Sequence, residues 1–124
     1  MSPQDHIHRI KSVLSPDLLK PAYRSMHDPA NRTAGHCYHA AEALWHMLGG
    51  RAAGWTPYVH READGITHWW LQHDSGAIAD PTADQYQGDP LPYERGLGKG
   101  CGFLTRQPSL RAQEIIRRVT IPVK

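Results

Sequence analysis

Apolar positions recur along this chain with two different periods. Near the start, Ile7, Ile10, Val13 and Leu14 fall on one side of a helix over residues 5–14. Ser15-Pro16-Asp17 then has the form of a fresh helix start, with Ser as N-cap and Pro in the first turn. Pro21 should break or kink whatever follows, and HDPANRTAGH (27–36) is a loop by composition. The strongest helical pattern runs from Cys37 to Leu48. Cys37, Ala41, Leu44 and Leu48 make one stripe with Ala40 and Met47 beside it, while His39, Glu42 and His46 fall on the opposite side. Gly49-Gly50 supplies its stop.

The period then drops to two. WTPYVHRE (55–62), ITHWWLQH (66–73) and GAIAD (76–80) read as strands, and the turn residues Ala63-Asp64-Gly65 and Asp74-Ser75-Gly76 make them an antiparallel meander. On the middle strand Ile66, His68, Trp70 and Gln72 share one face; Thr67, Trp69, Leu71 and His73 share the other. Residues 81–107, rich in Gly and Pro, predict a long, partly ordered excursion of the kind that wraps a site. Its alternating Gly96, Gly98, Gly100 and Gly102 read as a flexible turn, because no strand feeds them and no Gly-Lys-Ser/Thr follows as in a phosphate loop. A last helix is predicted over 108–119, burying Ala112, Ile115, Ile116 and Val119 and leaving Arg111, Glu114, Arg117 and Arg118 to solvent. The tail TIPVK would add an edge strand. The expectation is one α+β domain over 1–124, with helices packed on one side of a small antiparallel sheet of three to four strands.

Composition narrows the function classes. The chain has 124 residues, enough for a single core, and a net charge of +2, which gives little pull toward nucleic acid or anionic lipid. No stretch reaches membrane-spanning length, and the N-terminus lacks the pattern of a signal peptide, so a cytoplasmic location is expected. Two cysteines, Cys37 and Cys101, are then expected as free thiols. Nine histidines raise the questions of metal binding and proton transfer.

Both questions converge on GHCYHAAEALWHMLG (35–49). In a metal reading, His36, Cys37 and His39 would be ligands, completed by His68 or Cys101. The spacing argues against it: consecutive residues rarely bind one ion, a helix turns His39 away from Cys37, and no second cysteine pair follows. In a nucleophile reading, Cys37 opens a helix, where a thiolate is most easily kept, and its side chain faces inward against the sheet. His68 in mid-strand is the histidine best placed to meet it. Asp80, ending the next strand before Pro81, is held extended and can orient that imidazole. Singly, each residue has an ordinary structural role. The order helix-borne Cys, strand-borne His, Asp on the next strand is what points to catalysis.

That order, carried by GHCYHAAEALWHMLGG, THWWLQ and GAIADPTADQY, resembles the transglutaminase-like branch of the papain-like cysteine enzymes. The resemblance implies a catalytic Cys at the start of a helix packed on an antiparallel sheet. Cys37 would be the nucleophile, His68 the general base and then acid, and Asp80 its orienter, with no cofactor. The reaction class would be thiol hydrolysis or acyl transfer through a thioester on an amide, peptide or isopeptide bond, with a protein, peptide or small amide as substrate and neither nucleic acid nor membrane as partner. The same segments, with GCGFLT, also look like small bacterial or phage-encoded proteins of unassigned role. Known transglutaminases and peptide glycanases are larger, and the papain-type upstream glutamine has no counterpart here, Gln4 being too distant. One oxyanion donor would be the Cys37 N–H, with a second from Asn31, His36 or the loop. Tyr38, Trp69 and Trp70 would wall a substrate groove; Gln85 and Tyr86 would cap the site; Cys101 would be a bystander. A non-enzymatic binding or inhibitor module on the same fold, and a small Cys/His metal-binding protein, are the alternatives.

Overall fold

A computed structural model describes residues 2–18, 36–63, 65, 67–103 and 106–120. Pro21, the 27–35 loop with Asn31, Asp64, Ile66 and the tail beyond Thr120 lie outside the described residues. Among those described are three α-helices and a four-stranded antiparallel sheet, an α+β arrangement.

Helix α1 spans Pro3–Val13, two residues earlier at its start than the apolar spacing suggests. The reason is a capping box: Asp5 N–H donates to Ser2 Oγ (3.2 Å), and Ser2 N–H donates to the Asp5 carboxylate (3.0 Å). Ser15-Pro16-Asp17 begins a single 3-10 turn, Pro16–Leu18. Helix α2 covers Cys37–Met47 and helix α3 Leu110–Thr120. Ile7, Ile10 and Leu14 from the α1 region, Ala40, Ala43 and Leu44 from α2, and Ala112, Ile115 and Val119 from α3 form one apolar core.

Strands β1 (Trp55–Arg61) and β2 (Thr67–His73) pair along their whole length, from Trp55 opposite His73 to Arg61 opposite Thr67. Strand β3 (Ile78–Ala79) flanks β2 only at Leu71 and Gln72. Strand β4 (Lys99–Gly100) flanks β1 at Tyr58 and Val59, giving the order β3-β2-β1-β4. Trp55, Leu71 and Ala79 join the helical core. By alternation, Tyr58, His60, His68 and Trp70 lie on the other face of the sheet.

That other face is not left to water. Residues 81–98 fold across it as two 3-10 turns, Ala83–Tyr86 and Pro92–Arg95. Trp70 is fully buried there, tilted against Tyr93 (5.3 Å between ring centres) and stacked on Tyr58 (6.0 Å). The glycine run is therefore not a flexible turn. It delivers β4, and Gly98, at φ +100°, passes so close to Trp70 that a methyl group would overlap the indole.

Two outward positions are corrected by packing. Glu42, placed by spacing on the solvent side of α2, is completely buried because α3 docks there. Its carboxylate accepts the Ser109 N–H (2.9 Å) and hydroxyl (2.7 Å) just before α3 begins. Burial raises the Glu42 pKa, but hydrogen bonds from His39 and Ser109 outweigh that and hold it below the usual carboxylate range. Arg118 is likewise not simply solvated: it reaches the Val13 carbonyl (3.1 Å) and Ser15 Oγ (2.7 Å), tying α3 to the end of α1.

Gly98→Ala should lower the unfolding free energy by about 2–4 kcal/mol, through positive-φ strain plus overlap with Trp70. Urea unfolding would show this; a change within about 0.5 kcal/mol of zero would mean that the excursion is not packed on Trp70 as described.

Candidate active site

Three elements converge at the Thr67 end of β2. Asp80 follows the last β3 residue, and its carboxylate is held at both oxygens. Oδ1 accepts the Thr82 N–H (3.0 Å), a local turn bond that a residue before Pro81 can readily make. Oδ2 accepts His68 Nε2–H at 2.7 Å and the Tyr93 hydroxyl at 3.0 Å. The His68 side chain is 0 % exposed and that of Asp80 3 %, so the pair is shielded from water. Trp70 stacks on the imidazole (5.8 Å) and the Tyr86 ring meets it edge-on (5.0 Å).

With Nε2 committed to Asp80, the remaining nitrogen, Nδ1, is buried and has no hydrogen-bond partner among the described residues. Cys37 is its neighbour in electrostatic terms. Burial pulls the His68 pKa down, but the hydrogen bond to Asp80 and the nearness of Cys37, with the charges of both, outweigh it and push the value up to about 9. The thiol itself donates to the Thr67 carbonyl at 3.3 Å.

The route by which these groups meet differs from the sequence expectation. Cys37 and His68 do not share the helix-facing side of the sheet. His73 N–H bonds to Ala77 on the β3 side, so by alternation the Thr67 carbonyl points the same way. β3 pairs only with Leu71 and Gln72, so among the described residues no strand flanks β2 at Thr67 on that side. The first residue of α2 fills the opening: Cys37 bonds to Thr67 at the strand edge and reaches His68 around it. His36, the N-cap residue, is buried beside it, and the amides of this first turn have no acceptor within the helix.

The other expected site residues are dispersed. Tyr38 packs on the helix side, edge-on to Trp69 (4.9 Å) and Phe103 (5.6 Å), so it does not wall the His68 face. Trp70 is a buried floor beneath the imidazole and presents no surface to a substrate. Gln85 lies in the 3-10 turn next to Tyr86; among the described residues neither its buried Oε1 nor the hydroxyl of fully buried Thr82 has a hydrogen-bond partner. Cys101 sits against the Pro57 carbonyl, four residues along β1 from the partner of Thr67, or roughly 13 Å away at ~3.3 Å per residue. The two free thiols therefore do not face each other.

Tyr93, Thr82 and Glu62 were not singled out from the sequence. Glu62 accepts the Tyr86 hydroxyl (2.9 Å) and pairs with Arg95. A cavity of about 490 Å3 opens at this point, lined by Glu62, Ala63, Tyr86, Asp89, Pro90 and Arg95. Tyr86 is thus shared between the two, its ring on His68 and its side chain also bonded to Glu62 of the cavity lining. Burial, then the Glu62 carboxylate, pushes the Tyr86 pKa up; burial and Asp80 do the same to Tyr93.

Among the described residues no group of three or more His, Cys, Asp and Glu side chains is arranged to hold a metal ion, and no helix is long and apolar enough to cross a membrane. The donors of the metal reading are used elsewhere: His39 Nδ1 lies 3.2 Å from Ser109 Oγ, and His68 Nε2 is on Asp80. Comparison with protein-family models, with curated proteins and with solved structures returns no match.

Because the folded pKa of His68 lies above its ordinary 6.5, its stabilising contribution is complete below pH 6.5 and is lost as pH rises through about 9. The thermal midpoint should fall across that window, and Asp80→Asn should flatten the slope. An unchanged slope in Asp80→Asn, measured by calorimetry from pH 6 to 9.5, would contradict the pairing.

Proposed function

We propose that this chain is a cysteine-dependent hydrolase or acyltransferase that acts on an amide, peptide or isopeptide bond, on a minimal transglutaminase-like core. The observation that carries the reading is the buried imidazole of His68, oriented by Asp80 through Nε2, with Nδ1 left over and the Cys37 thiol beside it. One nitrogen is fixed and the other is available, which is what a base that must take and return a proton requires.

In this reading His68 Nδ1 holds the proton taken from Cys37, so the attacking species is a thiolate beside an imidazolium. The sulfur attacks the carbonyl carbon, forming the C–S bond and pushing the π electrons onto oxygen. The first-turn amides of α2, the Cys37 N–H first among them, are the natural donors to that oxyanion. As the intermediate collapses, the C–N bond breaks and Nδ1–H passes its proton to the leaving amine, leaving a thioester. Nδ1 then takes a proton from water, or from an acceptor amine, as that nucleophile attacks; the C–S bond breaks and the thiol is restored. Asp80 accepts from Nε2–H and orients the imidazole in both halves. Hydrolysis and amine transfer share the first half of the cycle.

The test is alkylation by iodoacetamide with the modified residue identified by mass spectrometry. At pH 6.5 Cys37 should react at least ~10 times faster than Cys101, whose thiol pKa burial pushes up, and His68→Gln should abolish the difference. Equal, ordinary thiol profiles for both cysteines would sink the enzyme reading.

A further inference from the structure

We propose that Tyr93 is a positioning residue for this site: its hydroxyl, donated to the same Asp80 oxygen that accepts His68 Nε2–H, limits how tightly the carboxylate holds the imidazolium. The proposal rests on the catalytic reading of Cys37, His68 and Asp80 given above.

Asp80 Oδ2 serves two donors, His68 Nε2–H at 2.7 Å and the Tyr93 hydroxyl at 3.0 Å, while Oδ1 serves the Thr82 N–H. In a buried site each donor draws off part of the carboxylate's charge. Three donors share that charge here. Without the phenol, Oδ2 would answer to His68 alone, and the imidazolium would be held more strongly. An over-held imidazolium keeps the thiolate but gives up its proton less readily to a leaving amine, so the hydroxyl trades one half-reaction against the other. Tyr93 is well fixed for this task. It lies on the Pro92–Arg95 turn, its ring is tilted against Trp70, and Arg95 of the same turn is anchored on Glu62.

Among the described residues, titratable groups face or flank His68 from several elements. They are Cys37 from α2, Asp80 after β3, Tyr86 from the Ala83–Tyr86 turn and His60 opposite it on β1. Glu62, also near His60, is engaged by Tyr86 and Arg95. Tyr93, from the Pro92–Arg95 turn, acts on the imidazole through the Asp80 oxygen that His68 already uses.

The experiment follows the His68 imidazole by NMR titration of the whole chain, beside the iodoacetamide profile of Cys37. Tyr93→Phe should raise the His68 midpoint by about half a pH unit or more and move half-maximal Cys37 alkylation to lower pH. 3-Fluorotyrosine placed at position 93 keeps the ring and is the stronger donor. It should lower the His68 midpoint, which serves as the deciding measurement if Tyr93→Phe fails to fold. A His68 midpoint unmoved by either change overturns the proposal and leaves the enzyme reading intact. A midpoint that moves as expected, while Cys37 keeps an ordinary thiol profile in every variant, supports the coupling to Asp80 and overturns the enzyme reading instead.

Discussion

A carboxylate and an imidazole 2.7 Å apart, both withdrawn from water, impose the main constraint on this molecule. An ion pair in such a place is costly unless its remaining hydrogen-bonding sites are filled. The long segment after β3 fills those of Asp80. Thr82 supplies an amide, Tyr93 a hydroxyl, and Tyr86 and Trp70 the rings that exclude solvent. The excursion is thus the second wall of the sheet. Its glycines are part of that job, since Gly98 lets backbone lie directly on the Trp70 ring. A sheet with helices on one face and this segment on the other buries residues on both sides of β2, from Leu71 in the helical core to His68 opposite it.

The short β3 matters as much as what it lacks. Two residues of pairing are enough to aim Asp80, and among the described residues no strand continues β3 alongside Thr67. Helix α2 begins in that opening, so its first side chain meets the strand edge rather than the sheet's flat face. Most of α2 is then free to pack elsewhere, and it does so on two sides. Its apolar stripe meets the core, and Glu42 on the far side receives the start of α3 through Ser109. The helix that carries the proposed nucleophile is anchored along its length, which restrains the position of Cys37.

Much of this architecture can be read from local pattern. The three helices and the β1–β2 pair follow from periodicity, because each has enough residues for the 3.6 or 2.0 repeat to stand out. Asp80 before Pro81, and His68 on the same face as Trp70, are local facts as well. β4 was not legible, since Lys99–Gly100 has no repeat to detect and exists only because β1 offers an edge. Tyr93 and Thr82 sit in a segment without periodicity, so their bonds to Asp80 left no mark on the hydrophobic pattern. Glu42 looked like a surface charge because a single helix cannot announce which neighbours will cover it.

The sequence by itself determined the elements and the chemical types they carry: a cysteine opening a helix, a histidine in mid-strand, an aspartate held extended by proline. These depend on interactions within a few residues, which the chain specifies wherever it folds. Only the tertiary structure decided that Cys37 and His68 meet around an open strand edge rather than across a shared face. It also decided that Trp70 is floor rather than wall, and that Asp80 answers to Tyr93 as well as to His68. Those outcomes depend on where β3 stops and on how the excursion closes over the sheet. Both are set by the packing of segments distant in sequence, whose energies no local pattern records.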